Sequence, residues 1–432
     1  MPLFRSLAII LLFGFASSAA TAQLNAQGVT IIEAPSNFEF VDMGYDATTN
    51  EVGIVGHIVN GADRTATVFE LNAASNGFTT QTLADLPGAT SNAEVNGISS
   101  DASRIAGTSS STDSVDIEGT TWLRSNPNIP TGIGFTNGFI NNSSAIGAWA
   151  NGVIGDSSGL QNAITWNTVD GIQILPGTEG GIAQAQGVNA NGEISVGFST
   201  HEVFDGAAYY WDNSGINRLD DIVVGFSTFQ SSASSISPDG NFIGGDLVLI
   251  DSQNNFLSVP VVWEGADRTL RVLTDSNGDL IQGTVLDVSN LGFAVGTFVS
   301  ADFIDSFGFI WSPDFINTDS NGGVQIFEDW LEEIDPNNNL GSGSLAVNSI
   351  AEANGRLLFT VLTQDLSYSF VDVVIEFEAG DVNRDGSVNF LDISPFISVL
   401  STGDFQAEAD VDRSGGVNFL DIAPFIQVLS SN

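Results

Sequence analysis

Between residues 37 and 380 the chain alternates short apolar runs with turns of Gly, Asn and Asp, and the runs come into register once stacked on their glycines. Gly97-Ile98-Ser99 leads through Asp101 to Ile105-Ala106-Gly107 and then Thr121-Trp122. Ala145-Ile146-Gly147 leads to Val153-Ile154-Gly155 and Ile164-Thr165-Trp166. Gly187-Val188-Asn189, Ser195-Val196-Gly197 and Tyr209-Tyr210-Trp211 follow, and then Ser235-Ile236-Ser237, Ile243-Gly244-Gly245 and Val261-Val262-Trp263. A further copy runs through Asp287-Val288-Ser289 and Ala294-Val295-Gly296 to Phe309-Ile310-Trp311. The run-closing tryptophans stand at 122, 166, 211, 263 and 311, in steps of 44, 45, 52 and 48 residues. An earlier copy, Val52-Gly53-Ile54-Val55-Gly56 to Val68-Phe69, has Phe in the Trp slot, and a last one runs from Val347-Asn348-Ser349-Ile350 to Phe370–Phe377. That makes about seven units.

Each unit holds four short runs: one of small residues, one ending I/V-x-G, one ending in Trp, and a final one such as Gly171-Ile172-Gln173-Ile174-Leu175. Four strands in about 45 residues is the arithmetic of a β-propeller blade. The expected fold is therefore all-β, a seven-bladed β-propeller over residues 23–378, with six or eight blades or a β-helix as alternatives. Inner strands crowding the central channel would explain the glycines. The tryptophans are expected on outer strands as inter-blade core, with each indole N–H free to find a partner. A ring must also pair its first and last blades, or an edge stays open. Val29-Thr30-Ile31-Ile32 is the expected closing strand. The units resemble a family of extracellular bacterial repeat proteins reading roughly A-x-G-I-S-x-D-G-x-x-V-G…A-F-x-W…L. That resemblance implies secretion and β architecture, and no chemistry.

Composition narrows the function. The chain of 432 residues carries 52 acidic and 10 basic residues, a formal charge of −42, and every basic residue is Arg. Without Lys there is no Schiff-base chemistry. Nucleic acid is excluded as a natural partner, because phosphate binding needs clustered cations, and anionic membranes would repel the chain. Cys is absent, so disulfides and thiolate chemistry are too, and His57 and His201 cannot build a multi-His metal site. Residues 1–22 have Arg5, an apolar run from Leu7 to Ala16, and Ala20-Thr21-Ala22. This is the form of a signal peptide cleaved before Gln23; the run is too short to span a bilayer. The expectation is a secreted or cell-surface protein with no transmembrane span in its mature form.

The C-terminus carries the one specific chemical motif. Residues 381–392 read DVNRDGSVNFLD and residues 410–421 read DVDRSGGVNFLD, 29 residues apart, and both continue into similar apolar segments. A hard cation such as Ca²⁺ takes six to eight oxygens, which a tight loop presents from positions 1, 3, 5, 7, 9 and 12. In the first copy these are Asp381, Asn383, Asp385, the Ser387 carbonyl, Asn389 and Asp392; in the second, Asp410, Asp412, Ser414, the Gly416 carbonyl, Asn418 and Asp421. Gly386 and Gly415 permit the turns. Two calcium ions are expected. Helices starting at or just before Pro395 and Pro424 should follow, with Ser394 capping the first.

Residues 381–432 resemble a dockerin, with Asp at position 12 of each loop. The resemblance implies calcium-dependent docking to a cohesin-like scaffold or cell-surface partner. Positions 10 and 11, which in dockerins help to choose that partner, are Phe390-Leu391 and Phe419-Leu420, an apolar pair where hydroxylic residues are familiar.

No catalytic residue is assigned. Ser114-Val115-Asp116 before Gly119 nearly matches an Asp-box turn, Asp275–Asp279 imitates the start of a calcium loop, and Glu328–Glu333 is an acidic, helix-compatible insert. His57 and His201 lack a Ser or Asp pattern around them. The sequence thus points to a secreted, non-catalytic propeller tethered through a calcium-dependent tail. The alternative, a glycoside hydrolase, lyase or carbohydrate-binding protein acting on polysaccharide, rests on the company dockerins keep.

Overall fold

The computed structural model describes residues 25–431 apart from 47–48, 50, 62, 73–76, 89–92, 111–116, 137, 144–149, 156–160, 168–169, 178–180, 201–205, 301–304, 313–322, 337–339, 341–342, 354–355, 377–379, 383–387, 403–407, 410 and 412–416. The expected signal peptide lies outside the described residues. The body, 24–377, and the C-terminal segment from Glu378 onward are separate compact units.

The body is an all-β propeller. A strand β1 (Asn25–Glu33) is followed by four-stranded sheets in chain order. The first is β2 (Phe38–Asp46), β3 (Glu51–Asn60), β4 (Asp63–Asn72) and β5 (Gly77–Thr82). The second is β6 (Glu94–Ile98), β7 (Arg104–Ser110), β8 (Ile117–Leu123) and β9 (Asn126–Thr136). The third is β10 (Gly138–Ser143), β11 (Ala150–Gly155), β12 (Gln161–Asn167) and β13 (Gly171–Ile174). The fourth is β14 (Ala183–Val188), β15 (Ser195–Thr200), β16 (Gly206–Asp212) and β17 (Gly215–Arg218). The fifth is β18 (Ser227–Ile236), β19 (Phe242–Ile250), β20 (Phe256–Glu264) and β21 (Thr269–Val272). The sixth is β22 (Gln282–Val288), β23 (Ala294–Val299), β24 (Ser306–Trp311) and β25 (Gln325–Ile326), followed by helix α1 (Phe327–Ile334). The seventh joins β26 (Ser344–Ala353), β27 (Arg356–Thr363) and β28 (Tyr368–Glu376) to β1.

Strand pairing within these sheets is antiparallel, which overturns the β-helix alternative. Each sheet packs on the next, and β26 of the seventh packs on β2 of the first. The expected closing strand is in place: Val29 pairs with Val373, Ile31 with Val371 and Ile32 with Phe370. Val29 and Ile31 pack on a core that also holds Phe327 and Trp330 of α1. Removing residues 25–33 would strip that apolar cover and leave the β28 edge unpaired. We expect a loss of about 2–4 kcal/mol from the burial of these side chains, read as a lower unfolding midpoint of the body; an unchanged midpoint would contradict it.

The repeat glycines have a different cause from the one expected. Every innermost strand carries a register shift at the same place, for example Val95/Gly97, Ala185/Gly187 and Val285/Asp287. The bulge tips a carbonyl over the neighbouring strand of the same sheet. A Cβ on Gly107 would lie 2.1 Å from the Glu94 carbonyl oxygen, and one on Gly197 would lie 1.9 Å from that of Gln184. The I/V-x-G motif therefore answers the bulge, not the channel. The S-x-D-G element, present in full at Ser237–Gly240, is the turn after the inner strand β18. Ser237 Oγ donates to Asp239 Oδ1 (2.6 Å), which accepts from the Asn241 amide (2.9 Å), while the Phe242 amide donates to Ser237 Oγ (3.0 Å). Gly240 supplies the left-handed residue (φ +81°), and Ala102 holds that position in the second sheet at φ +54°.

As the order of runs in each unit implies, Trp122, Trp166, Trp211, Trp263 and Trp311 lie on the third strand of the second to sixth sheets. Their indoles reach back to the chain leaving the preceding sheet. Trp122 Nε1 donates to the Ala84 carbonyl (2.8 Å), Trp211 to Pro176 (2.7 Å) and Trp263 to Asp220 (2.7 Å). Arg124 adds an ionic link: its buried guanidinium sits 3.2 Å from Asp46, 3.1 Å from Glu51 and 3.7 Å from Glu70 of the first sheet.

Candidate functional site

In the C-terminal unit the apolar halves of the two repeats fold alike. The chain turns at Asn389 into a short 3-10 segment, Phe390–Asp392, and then α2 (Ile393–Thr402). The second copy enters α3 (Ile422–Ser431) from Asn418. Asn389 Oδ1 accepts from the Leu391 amide (2.9 Å), and Asp392 Oδ2 accepts from the Asn389 amide (2.8 Å). Asn418 Oδ1 accepts from the Leu420 amide (2.9 Å) and Asp421 Oδ2 from the Asn418 amide (2.9 Å). This is a reciprocal capping arrangement. It corrects the expected cap: Asn389, not Ser394, opens the first helical segment, and Ser394 lies inside α2. The helices can start ahead of Pro395 and Pro424 because a Pro in the first turn removes only an amide that has no intrahelical acceptor.

Between the repeats Phe396 and Phe425 stack in parallel, with ring centroids 4.0 Å apart and planes within 6°. Val382, Ala409, Leu400 and Leu429 complete this small core. Gly380, at φ +101°, donates its amide to the Glu408 carbonyl (2.8 Å) and so ties the start of one repeat to the start of the other.

Of the twelve expected calcium-ligand positions, Asp381, Asn389, Asp392, Asn418 and Asp421 are described; Asn383, Asp385, Ser387, Asp410, Asp412, Ser414 and Gly416 lie outside the described residues. Asp381, Asp392 and Asp421 are all buried, the last two completely. Glu408, two residues ahead of the second loop, is also fully buried, and the loop pattern did not single it out. A donor set of carboxylate and amide oxygens, with its described carboxylates drawn inside a unit of some fifty residues, fits a hard divalent cation. Asp410 and residues 383–387 and 412–416 would supply the remaining oxygens. Among the described residues alone, no three His, Cys, Asp or Glu side chains form a metal site.

The faces left outside are apolar. Phe390 and Leu391 are 83% and 66% exposed, and their counterparts Phe419 and Leu420 are 79% and 69% exposed. Ile397 and Ile426 are both 58% exposed. Neither α2 nor α3 contains a charged residue.

The body offers no comparable site at the residues its sequence brings forward. Asp275 Oδ1 accepts from the Asn277 (2.9 Å) and Asp279 (2.8 Å) amides, as a turn does. The acidic insert is α1; Glu328 accepts from Ser344 Oγ (2.8 Å), and burial raises its carboxyl above the usual range. His57 is buried between sheets, its Nε2 3.2 Å from the Val95 amide and its Nδ1 3.2 Å from Arg64. Burial, and then Arg64, hold its pKa below the ordinary value, so it is a neutral packing residue. Ser114-Val115-Asp116 and His201 lie outside the described residues. A groove of about 410 Å³ runs beside β21, lined by Asp220, Ile222, Val224, Arg268 and Leu270. Its Arg268 is already engaged, donating to the Gly240 carbonyl (2.6 Å) and lying over the Tyr210 ring.

Residues 379–430 match the family model of the dockerin type I domain, so the C-terminal segment is a dockerin type I domain. No curated protein matches the chain. Among solved structures, the β-propeller domain of the Trilobed protease from Pyrococcus furiosus is similar at 12% identity and TM-score 0.48, covering 77% of this chain and 95% of that one. A YCF48 structure bound to D1 peptide is similar at 12% identity and TM-score 0.46, covering 83% and 99%. An acylaminoacyl peptidase complexed with Z-Gly-Gly-Phe-chloromethyl ketone follows at 13% and 0.46, covering 75% and 49%. Among the described residues no helix is long and apolar enough to cross a membrane.

Proposed function

We propose that this is an exported binding or structural propeller, held by its C-terminal dockerin to a cohesin-like partner on a scaffold or cell surface. The seven sheets serve as seven blades of one ring, and two calcium ions fold the tail by occupying residues 381–392 and 410–421. The observation that carries this reading is the pair of matched capping turns in the tail. Each draws an Asp inward and holds a Phe-Leu pair outward. Export is supported by the form of residues 1–22. The role of the ring is read as non-catalytic because the groups its sequence brings forward, Asp275, Glu328 and His57, are committed to turns and packing.

The paired apolar faces suit a partner with an apolar cleft, bound with little dependence on salt because neither helix adds charge. The full chain, immobilised, should capture such a partner from its own secretome in calcium and release it in chelator. Replacing both exposed phenylalanines (Phe390→Ser with Phe419→Ser) should abolish capture without unfolding the tail. Capture that persists in chelator, or that survives the double replacement, would refute the reading.

A further inference from the structure

Among the described residues of the tail, Glu408 is the buried acid that the two calcium loops do not account for. It stands two residues ahead of the second loop, yet its backbone is tied to the first. Its carbonyl accepts from the Gly380 amide (2.8 Å), and Gly380 directly precedes Asp381, the first expected ligand. Asp381 and Glu408 are both drawn inside, 5% and 0% exposed, on adjoining segments of different repeats.

The internal repeat indicates which loop this carboxylate serves. At the offset of 29 residues the counterpart of Glu408 is Ala379, and Gly380 with Ala409 and Asp381 with Asp410 follow in step. An acid needed ahead of its own loop would stand in both copies; this one stands only ahead of the second. The backbone tie gives it to the first loop instead. Charge points the same way. Residues 379–432 hold eight acidic and two basic residues, and the basic ones, Arg384 and Arg413, each stand at position 4 of a loop. Taking a carboxylate out of water is costly unless positive charge lies near it. The largest positive charge this unit is suited to hold is a divalent ion.

We propose that Glu408 is a positioning residue for calcium in the first repeat: the second repeat lends its carboxylate to the site of residues 381–392, so that site depends on both halves of the tail. The inference rests on the reading that each loop takes a calcium ion. Positions 1, 3, 5, 7, 9 and 12 already meet the needs of a hard cation. The part of Glu408 is to add negative charge beside Asp381 and to hold the entry of the loop in place. Groups just outside a metal's own ligands commonly set its affinity by about 10–100-fold.

The test is calcium titration calorimetry on the full chain, with the Asp392→Ala, Asp421→Ala double variant as the blank. In Asp421→Ala, where the second loop is disabled, adding Glu408→Gln should raise the calcium dissociation constant about tenfold or more. In Asp392→Ala, where the first loop is disabled, the same change should move it by less than about twofold, the response of a group outside that site. Gln keeps the size of the side chain and removes its charge, so a packing role would leave both constants unmoved. Glu408→Asp, which keeps the charge, should recover most of the loss. If Glu408→Gln lacks the helical circular-dichroism signal at saturating calcium, Glu408→Asp carries the same comparison, with a smaller loss confined to the first loop. Equal constants for Glu408→Gln and its parent in both backgrounds, or a loss confined to the second loop, would overturn the proposal. A wild-type chain that takes up no calcium would overturn the reading of the tail, and this proposal with it.

Discussion

On chelation of calcium, the full chain should lose the helical circular-dichroism signal of α2 and α3 while its tryptophan emission stays as it was. The two observables separate cleanly because all seven tryptophans lie between residues 122 and 330, and residues 379–432 contain neither Trp nor Tyr. The physical basis is the size of the tail's core. Val382, Val388, Phe396, Ala409 and Phe425 are its buried apolar residues among those described, and a unit of this size needs a staple. A cation at a hundred times its dissociation constant contributes about 2.7 kcal/mol per site, which is most of the stability such a unit holds. Without it the inward carboxylates repel one another. Asp392→Ala and Asp421→Ala should each weaken the calcium response, and the double variant should remove it. A helical signal that persists in excess chelator would refute calcium-dependent folding of the tail.

Of single changes in the ring, Trp263→Ala should be among the most damaging. The side chain is fully buried among Val261, Leu247 and Leu219, and its indole donates to the Asp220 carbonyl. Truncation of a buried Trp costs about 3–5 kcal/mol, and it leaves the inter-sheet carbonyl without this donor. Trp263→Phe keeps most of the apolar contact and should cost about half as much. Denaturant midpoints of the body report both values, and the tail should be indifferent to either change. A loss below about 1 kcal/mol for the Ala variant would show that the indole is not the peg between sheets four and five.

The sequence carries much of this architecture, because the repeating parts answer local demands. Trp122, Trp166, Trp211, Trp263 and Trp311 mark third strands, the I/V-x-G runs mark the strand facing a bulge, and Ser237–Gly240 marks a turn whose side chains bond to its own backbone. What could not be read was the partner of each signal. The glycines look like concessions to a crowded channel until the carbonyls of Glu94 and Gln184 are seen above Gly107 and Gly197. Asp287 looks like any other of 52 acids, since only assembly of distant strands brings Ser235, Ser349 and the Ile350 amide to its carboxylate. In the tail the loop spacing was plain from the sequence. Asn389 could not be recognised as a cap, because the 3-10 segment Phe390–Asp392 opens the helical stretch ahead of α2, and Glu408 stood outside the spacing altogether.

The pairing of Asn25 with Glu376 has a bearing on how the protein is made. In a chain made amino end first, β1 emerges at the start and its mate only some 340 residues later. Contacts of such long range form late, since a large loop must close before they give any return. Until then Val29 and Ile31 have nothing to rest on, and an open strand edge invites pairing with another chain. Synthesis therefore delivers the tail almost as soon as the ring can shut, so an unfinished molecule has neither its last seam nor its means of attachment.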